Sequence, residues 1–561
     1  MLVSSIFSLL LIKNVSEAYH INNPVQVYTY EEMTADIQQL AKDFPSLIEY
    51  ESLGKTTYGR DIWAIKLGNG EATSLITSSS HAREWLTTNV TMKQILTYAK
   101  AYQANESIKN LNVKEILDNT TIWFVPMVNP DGVTLQQLGL DAFPKEVHAK
   151  LIAMNEGSTD FKRWKTNADG IDPNRNFDVD FHLIQSPTSP DWNNYKGVQA
   201  NHIIETKALA DFTVSIMPEV LIAYHTAGEM LYWEYKTDPS LKSRDLELTK
   251  AISTMTGYRI LYNTNKPTGS HMDWFITKFK RPAITLELGV YPGPTNVPLN
   301  DFDRMWEQNE ELSLFIAKKS YEYWINKQPE QPVHLKIELT SPSKLYVKPL
   351  IYSDASLNPQ KLIAVAEKGN LWKVKTWNGE MWLPKTNTTE LPNYGFRDFI
   401  DNHYWSESMI WSINKGIIVG IENNHKNYLK PLEYITEGQF LTMLFRLTQL
   451  EQLQATAPTV NHWASVPYQL ADSYKLPTIG SVEDNSPITR GQLARLLVAY
   501  HTNNPFVTME EAVQFMYKHE LTSGYDVENQ TLESFGIDDP LQRGQIALFL
   551  QRYNTFLEMT N

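Results

Sequence analysis

The sequence contains no cysteine among its 561 residues. Disulfides, cysteine nucleophiles and thiolate metal sites are therefore excluded, and any bound metal must be held by histidine and carboxylate side chains. An excess of positive charge is also lacking, since the formal net charge is −14 at pH 7 and the sequence pI is about 5.5. Because phosphate backbones are bound by basic surfaces, this charge argues against a nucleic-acid partner.

Long hydrophobic runs are scarce as well. The apolar stretch at residues 2–12 is too short to span a bilayer as a helix, and no other segment is long or apolar enough to cross a membrane. Small residues around Ser16-Glu17-Ala18 offer a cleavage site, so residues 1–18 are predicted to be a signal peptide for export. A basic start is missing, which leaves two alternatives: a start codon upstream of Met1, or a buried strand instead of a signal.

Length and residue pattern divide the chain into several domains. One core seldom grows beyond about 250 to 300 residues, so a chain of 561 residues indicates three or four domains. Residues 28–327 alternate short β-rich runs with longer helical ones, which is the pattern of an α/β domain. Within it we expect the following elements: a helix at 30–42, strands at 61–67 and 121–128, a turn at 129–132 and a closing helix at 301–326.

A small β-rich domain is expected at residues 333–393, after a linker at 328–332. Residues 371–383 contain two alternating strands around Asn378-Gly379, a strong turn signal, and so predict a hairpin. The block resembles a bacterial Src-homology-3-type barrel. An unrelated β-sandwich spacer is the alternative.

The end of the chain repeats with a fixed period. Related pentapeptides start at Ile435, Ile488 and Leu541 and so recur every 53 residues. An apolar helical segment follows each of them, and Trp405 and Trp463 open a second helix upstream of the first two. A fixed period with two helices per unit is typical of repeats that stack and bury one shared core. We therefore predict three repeats, at residues 397–450, 451–503 and 504–561.

These units resemble S-layer homology repeats, an all-α module that usually occurs in threes. Such repeats hold exported bacterial proteins on the cell wall by binding a secondary cell-wall polymer. The resemblance implies a secreted, wall-associated protein in which Arg490 and Arg543 contact the polymer, and a guanidinium fork suits anionic oxygens. The first repeat departs from the pattern, because Glu437 stands at the corresponding position. The alternative is that these arginines cap or pair at helix starts.

A candidate metal site begins at His81 and Glu84, which stand three residues apart behind a strand-like run at 74–77. A zinc hydrolase usually holds three protein ligands and leaves the fourth position for water, so a further donor is needed. His225 is the best candidate, because it ends the apolar run at 220–224 and would meet the other two where α/β sheets bind ligands. Taken alone, His-x-x-Glu is a weak signal, and a surface pair on a turn is the alternative.

Three later stretches add chemical groups. Asn174 and Arg175 share one turn and suit a substrate carboxylate. Met272 and Asp273 follow a glycine-containing loop. Glu287 stands in the middle of an apolar run, where a buried carboxyl needs a partner or a raised pKa.

Together these stretches resemble the zinc carboxypeptidases of the carboxypeptidase A and T type over residues 28–325. The resemblance implies a mixed sheet flanked by helices, with Glu287 as general base and acid. It implies three ligands for one Zn²⁺ per chain: His81, Glu84 and His225. It also implies three groups that hold substrate carboxylates: Arg83, Asn174 and Arg175.

The sequence departs from the digestive members of this family at three positions. Lys165 stands where they have an arginine after a tryptophan, so Lys165, or Arg163 reaching round, becomes the cation for the developing oxyanion. Asn265 stands in place of a mobile tyrosine. Met272 occupies the position that sets side-chain preference in the substrate, and it encodes neither a basic nor an acidic one.

Three stretches, at 164–167, 225–233 and 271–275, are more similar to the bacterial γ-D-glutamyl-L-diamino-acid peptidases. Those enzymes cleave peptidoglycan stem peptides between γ-D-glutamate and meso-diaminopimelate, a substrate that a wall tether fits. We therefore expect a wall-anchored zinc peptidase acting on this bond. Two alternatives remain: a general cell-surface metallocarboxypeptidase, and a non-catalytic wall-binding protein. Tyr232 and Trp233 are expected to be core residues.

Overall fold

The computed structural model describes residues 19–262, 266–391, 395–423 and 426–560. The predicted signal peptide at residues 1–18 and Asn265 lie outside these ranges. Contacts divide the chain into two compact units, residues 1–328 and 329–561. Among the described residues, no helix combines the length and the apolar character needed to cross a bilayer.

The first unit is built on an eight-stranded sheet with the order β1-β2-β6-β3-β7-β10-β8-β9, beside a short ribbon of β4 and β5. The strands of this unit are β1 (Ile48–Lys55), β2 (Asp61–Gly68), β3 (Ala72–Thr77), β4 (Ser107–Ile108), β5 (Leu111–Asn112), β6 (Thr120–Val125), β7 (Val220–Thr226), β8 (Met230–Tyr232), β9 (Arg259–Ile260) and β10 (Ala283–Leu288). Strands β6, β3, β7 and β10 run parallel, whereas β1 with β2, β2 with β6 and β8 with β10 are antiparallel. The sheet is therefore mixed, as predicted.

Helices cover both faces of this sheet. They are α1 (Tyr30–Asp43), α2 (Leu86–Ala104), α3 (Val113–Asn119), α4 (Pro130–Leu138), α5 (Lys145–Met154), α6 (Ile204–Ile216), α7 (Lys242–Thr256), α8 (His271–Phe279), α9 (Phe302–Asn309) and α10 (Leu312–Lys327). Successive side chains of a strand point to opposite faces, and β7 follows this rule: Val220 and Ile222 enter one apolar cluster, while Leu221 enters another with Phe275 of α8. A strand buried on both faces is typical of α/β sheets.

The structure confirms the helix predicted at 30–42 and the strand predicted at 61–67, and it corrects two boundaries. Strand β6 stops at Val125, because Pro126 has no amide hydrogen to continue the ladder. The predicted turn at 129–132 is instead the start of α4, where the Asn129 side chain accepts a hydrogen bond from Gly132 N at 3.0 Å.

The predicted closing helix at 301–326 is interrupted at residues 310–311, between α9 and α10. Two side chains of α2 bind carbonyl groups at the break. Gln94 Nε2 donates to Asn309 O at 2.7 Å, and the Tyr98 hydroxyl donates to Glu310 O at 2.5 Å. These tertiary hydrogen bonds satisfy carbonyls that a continuous helix would have used itself.

The second unit begins with a seven-stranded antiparallel sheet of order β13-β12-β16-β15-β14-β11-β17. The strands are β11 (Gln331–Leu339), β12 (Ser343–Lys348), β13 (Ile351–Leu357), β14 (Gln360–Lys368), β15 (Leu371–Thr376), β16 (Gly379–Pro384) and β17 (Thr388–Glu390). The predicted hairpin at 371–383 is confirmed, because β15 and β16 pair across Asn378-Gly379. Gln331 already pairs with Glu367, so the predicted linker ends two residues earlier than expected.

The remainder of the second unit is mostly helical. Its helices are α11 (Ser406–Asn414), α12 (Glu437–Thr448), α13 (Leu450–Ala455), α14 (Ser465–Ser473), α15 (Arg490–Thr502), α16 (Met509–Lys518), α17 (Leu532–Phe535) and α18 (Arg543–Thr560). A helix begins at the third residue of each predicted motif, and Thr436 and Thr489 form capping boxes at two of these starts. The expectation of an all-α region is corrected by a short hairpin of β18 (Ile421–Asn423) and β19 (Lys426–Tyr428).

The three repeated motifs meet in a closed ring of hydrogen bonds. Ile435 N donates to Leu541 O at 3.2 Å, Leu541 N donates to Ile488 O at 3.0 Å, and Ile488 N donates to Ile435 O at 2.8 Å. All three side chains are almost fully buried. The sequence predicted stacked repeats that share a core. In the structure the repeats do share a core. They are arranged around one centre and not in a linear stack, because each motif forms hydrogen bonds with both of the others.

A buried carboxyl in the first unit has a consequence for stability. Glu205, in the first turn of α6, is 2% exposed, and its Oε1 accepts a hydrogen bond from Asn167 Nδ2 at 3.2 Å. Burial raises the pKa of Glu205 from 4.5 to about 7. Between these values the folded chain binds more protons than the unfolded chain, so the stabilising contribution is complete at lower pH and is lost as the pH rises through 7.

We therefore predict that Glu205→Gln stabilises the first unit at pH 8 by about 1–3 kcal/mol and has a much smaller effect at pH 5, since the amide never has to ionise inside the fold. Thermal unfolding of the full chain between pH 5 and pH 8 measures this difference. Glu247→Gln, at an exposed position of α7, is the matched control. Parallel curves of melting temperature against pH for wild type and Glu205→Gln would contradict the prediction.

Candidate active site

His81 and Glu84 lie in the turn that follows β3. The chain leaves the strand through Ser79, whose φ of +51° is in the left-handed region that non-glycine residues rarely adopt. A hydrogen bond of 3.0 Å from Ser79 N to Thr87 Oγ1 holds this conformation. A 3-10 turn, Ala82–Glu84, follows at once, and residues three apart in such a turn project from the same side. The local sequence therefore brings the imidazole and the carboxylate together.

His225 comes from the neighbouring strand. Strand β7 pairs in parallel with β3, so the carboxyl ends of both strands open at the same edge of the sheet. His225 is the next-to-last residue of β7, and only 2% of its surface is exposed. Parallel pairing thus delivers a donor from 141 residues further along the chain.

The three side chains meet through short contacts. Glu84 Oε1 lies 2.9 Å from His81 Nδ1, Glu84 Oε2 lies 2.7 Å from His225 Nδ1, and the two Nδ1 atoms are 3.1 Å apart. One donor atom from each residue lies within 4.8 Å of the others. Tetrahedral zinc, with Zn–N distances near 2.0–2.1 Å, places its ligand atoms about 3.3 Å apart. The donor set therefore fits one zinc ion.

The charge state of Glu84 suits a cation site. Burial opposes ionisation of this carboxyl, but the neighbouring His81 and His225 hold its pKa below the usual range. A carboxylate that stays ionised between two imidazoles supplies the negative charge that a divalent cation needs.

Two further side chains lie behind the histidine rings. Asp172 Oδ1 lies 3.1 Å from His81 Nε2. A histidine that donates this hydrogen to a carboxylate presents its Nδ1 lone pair to a metal. Asn174 Nδ2 lies 3.3 Å from His225 Nε2, while Asn174 Oδ1 accepts a hydrogen bond from His271 N at 3.1 Å. Asn174, predicted to hold substrate, is thus engaged with a metal ligand.

Asp172 is absent from the predicted set of site residues. It stands directly before the predicted Pro173-Asn174-Arg175 turn, so the sequence already contained it. The usable signal was chemical: a ligand histidine commonly has a carboxylate behind it. Choosing Asp172 among the other aspartates required the fold, because its partner His81 is 91 residues away.

Glu287 comes from β10. This strand runs parallel to β7 and places Glu287 directly opposite His225. The sequence predicted a buried carboxyl, whereas the side chain is partly exposed. Burial of the surroundings raises the pKa of Glu287 to about 7, and the Glu84 carboxylate adds to the rise. A carboxyl with a pKa near neutrality can both take up and release a proton.

Lys165 is the cation beside the metal ligands. It is 8% exposed, its Nζ donates to Asn194 Oδ1 at 2.9 Å, and it lies 3.5 Å from Asp172 Oδ2. Burial lowers the pKa of Lys165, and the Asp172 carboxylate opposes this. The alternative cation, Arg163, turns elsewhere: its guanidinium pairs with Glu156 at 2.7 Å and stacks on an indole ring.

The predicted substrate-binding arginines occupy the same neighbourhood. Arg175 is half-buried, and its Nη1 donates to Asn174 O at 2.9 Å. Arg83 is also half-buried, and its Nη1 donates to Arg163 O at 3.2 Å. Both guanidinium groups lower the pKa of Lys165, so the three cations are near one another. Met272 is 6% exposed and belongs to an apolar cluster of the sheet.

Two aromatic residues expected in the core differ from one another. Trp233 is 1% exposed and is a core residue, as predicted. Tyr232 is only half-buried, and it lies opposite Thr285, two residues before Glu287 in β10. Because side chains two apart on a strand share a face, the Tyr232 ring lies on the face of the sheet that carries Glu287.

Comparisons with known proteins identify relatives of the first unit. A family model described as zinc carboxypeptidase matches residues 33–312, which include every residue of the site above. A gamma-D-glutamyl-L-diamino acid endopeptidase 1 of Lysinibacillus sphaericus is 33% identical over 297 residues, which cover 53% of this chain and 73% of the relative. A carboxypeptidase B of Rattus norvegicus is 25% identical over 277 residues, covering 46% of this chain and 62% of the relative. Bovine thrombin-activatable fibrinolysis inhibitor, solved in complex with tick carboxypeptidase inhibitor, aligns with a TM-score of 0.42 at 16% identity and covers 54% of this chain and 99% of that chain.

We predict that Asp172→Asn weakens zinc binding by about ten- to hundredfold, because the amide no longer holds the His81 ring with a carboxylate. Competition with a chromophoric chelator measures the dissociation constant. The control is Asp169→Asn, a substitution on the same loop at a carboxylate that pairs with Lys150 instead. Equal zinc affinity in Asp172→Asn and wild type would remove Asp172 from the metal site.

Proposed function

The chain belongs to the zinc carboxypeptidase family and is a zinc metallopeptidase, and on that premise we propose that its substrate is the γ-D-glutamyl-meso-diaminopimelate bond of peptidoglycan stem peptides. The observation that carries this substrate assignment is the similarity to the Lysinibacillus endopeptidase, whose name specifies a γ-D-glutamyl-L-diamino acid bond. The acidic chain without a basic footprint is compatible with such a substrate and argues against a nucleic-acid partner.

We assign a separate task to each group of the site. His81, Glu84 and His225 would hold the zinc ion, which when bound supplies Lewis-acid activation of water and of the amide carbonyl. Asp172 orients the His81 ring from behind. Glu287, opposite His225 on the next strand, accepts a proton from the attacking water and returns it to the leaving amine.

The cations of the site stabilise negative charge. Lys165, buried beside Asp172, is placed to stabilise the oxyanion that develops on the former carbonyl. A lysine acts there as a point charge, without the paired donors of an arginine. Arg175 and Arg83 hold the substrate carboxylates, which fixes the scissile bond next to Glu287.

Product analysis by mass spectrometry tests the substrate. The zinc-loaded full chain is incubated with the tripeptide L-Ala-γ-D-Glu-meso-diaminopimelate and, in parallel, with an ordinary L-peptide that has a free C-terminus. Release of diaminopimelate from the first alone is the expected result. Cleavage of the second alone would favour a general metallocarboxypeptidase, and cleavage of neither would favour a wall-binding protein without activity.

We predict that Glu287→Gln keeps zinc and loses turnover by more than about a hundredfold, because the amide cannot accept the proton from water. Steady-state kinetics measure the turnover, and the metal content of the same sample shows that the site is still loaded. A variant that retains more than about a hundredth of the wild-type rate would exclude Glu287 as the general base.

We propose further that the second unit anchors the protein to the bacterial cell wall through an anionic saccharide polymer. A cavity of about 330 Å³ supports this assignment, and Arg490, Tyr404, Tyr525 and Arg552 are among its lining residues. The Arg490 guanidinium packs against the rings of Tyr525, Phe535 and Phe549 at 4.9, 5.2 and 5.3 Å. Aromatic rings and guanidinium groups together suit sugar faces and acidic oxygens.

The corresponding positions of the other two repeats differ in charge. Arg543 is 5% exposed, and its Nη2 lies 4.0 Å from Glu433, a long contact for an ion pair. Glu437 of the first repeat accepts hydrogen bonds from Gly480 N at 2.9 Å and Ile479 N at 3.2 Å. The Glu437 carboxylate thereby takes up backbone donors that an acidic ligand would otherwise use. The first repeat is accordingly unsuited to an anion.

We predict that Arg490→Ala lowers binding to purified cell walls by about tenfold or more and leaves hydrolysis of a soluble peptide unchanged, since the substitution lies in the second unit. Pelleting with walls measures the binding. Arg495→Ala, five residues further along α15, is the matched control. Thermal unfolding of both variants separates a lost contact from a lost fold, and undiminished pelleting of a folded Arg490→Ala variant would move the anchor elsewhere.

A further inference from the structure

Four side chains form one row across the active-site end of the sheet. His225 of β7 pairs with Glu287 of β10, Glu287 pairs with Met230 of β8, and Met230 pairs with Arg259 of β9. Residues directly opposite one another on paired strands project from the same face. Arg259 therefore shares the face that carries the metal ligand His225 and Glu287.

The spacing of the strands sets the distance along this row. Neighbouring strands lie about 4.8 Å apart, so the Arg259 backbone is about 10 Å from that of Glu287. The guanidinium leans back along the row, because its Nη2 lies 3.8 Å from the sulfur of Met230. The positive charge of Arg259 thus lies on the same row as His225 and Glu287, beyond Met230.

Arg259 is not committed to an acidic partner in the described parts of the chain. Its side chain is exposed, and the carboxylate of the neighbouring Glu229 is engaged elsewhere. Glu229, whose backbone oxygen accepts a hydrogen bond from Arg259 N at 3.0 Å, directs its carboxylate to Arg304 at 3.0 Å and Gln308 at 3.1 Å. The guanidinium fork of Arg259 therefore has donors available for a ligand.

Tyr232 connects this arginine with the reacting groups. Burial raises the pKa of the Tyr232 hydroxyl, the Glu287 carboxylate raises it further, and the guanidinium groups of Arg259 and Arg175 oppose the rise. Arg259, Arg175 and Glu287 thus all act on one half-buried hydroxyl. Two arginines thus lie within electrostatic reach of Tyr232, whereas one arginine suffices for a substrate with a single carboxylate.

We propose that Arg259 binds the distal carboxylate of a diamino diacid leaving group and so selects meso-diaminopimelate over L-lysine at the same position. The inference rests on the proposed function and deepens it. Arg175 takes the carboxylate next to the scissile bond, Glu287 returns the proton to the amine, and Arg259 pairs with the carboxylate at the far end of the side chain. L-Lysine, which ends in an amine alone, offers Arg259 no partner.

Paired substrates test the role of Arg259. The zinc-loaded full chain is assayed on L-Ala-γ-D-Glu-meso-diaminopimelate and on L-Ala-γ-D-Glu-L-Lys, as wild type, Arg259→Gln and Arg259→Lys. For Arg259→Gln we expect kcat/KM to fall about ten- to hundredfold on the first peptide, mainly through KM, and to change less than about twofold on the second. Arg259→Lys, which keeps the charge but not the fork, is expected to recover part of the loss.

The control variant is Lys250→Ala, which removes an exposed positive charge from α7. We expect it to leave kcat/KM on both peptides unchanged. Equal losses on both peptides, or no loss on either, would overturn the role of Arg259. Because Arg259 is exposed, its substitution does not threaten the fold.

A binding measurement separates this inference from the proposed function. If the wild type cleaves neither γ-linked peptide, the proposed substrate is wrong, and calorimetry with free meso-diaminopimelate and free L-lysine still decides the role of Arg259. Preferential binding of meso-diaminopimelate that disappears in Arg259→Gln supports the inference. Equal affinities of wild type and Arg259→Gln for meso-diaminopimelate would overturn it.

Discussion

The candidate active site of the first unit depends on one contact, in which two buried imidazole nitrogens and one buried carboxylate lie within about 3 Å of one another. His81 Nδ1 and His225 Nδ1 are 3.1 Å apart, and Glu84 contacts both. Lone pairs at this distance repel unless a cation or protons lie between them. The surrounding fold keeps them in place: the 3-10 turn after β3 orients two of the groups, and the parallel pairing of β3 with β7 supplies the third.

The remaining charges of the pocket are arranged around that cluster. Asp172 stands behind His81 and also faces Lys165, so one buried carboxylate supports both a ligand and a cation. Glu287 has no such partner among the residues that the structure describes, and its pKa is raised to about 7, because burial and the nearby Glu84 both disfavour its charge. Two carboxyl groups that act on one another thereby have opposite pKa shifts, lowered for Glu84 and raised for Glu287.

The second unit is organised by a different constraint. The ring of hydrogen bonds through Ile435, Ile488 and Leu541 closes three similar motifs around one centre and fixes where each following helix begins. The positions two residues later each begin a helix, yet they carry Glu437, Arg490 and Arg543. The three similar motifs therefore differ chemically. At one of them the Glu437 carboxylate accepts backbone hydrogen bonds, and at another Arg490 lines a cavity.

The sequence by itself determined the features that depend on residue type and short spacing. Four such features could be predicted, because capping, turn formation and ligand spacing are local: the pair His81 and Glu84, the helix at 30–42, the Asn378-Gly379 hairpin and the 53-residue period. The sequence also singled out His225 and Glu287, each from its place in an apolar run, and the structure brings them opposite one another. It failed at residues 310–311, where side chains of α2 interrupt a helix that the local pattern continues.

Only the tertiary structure decided which distant groups meet. Strand register and loop packing between segments far apart in sequence determine four features. These are the position of Asp172 behind His81, the pairing of Arg163 with Glu156, the closed ring of motifs and the row from His225 to Arg259. Register carries this information because shifting a strand by one residue moves every side chain to the other face. Nothing in the sequence distinguishes Arg259 from other arginines. The pairing of β10 with β8 and of β8 with β9 brings it into one row with Glu287.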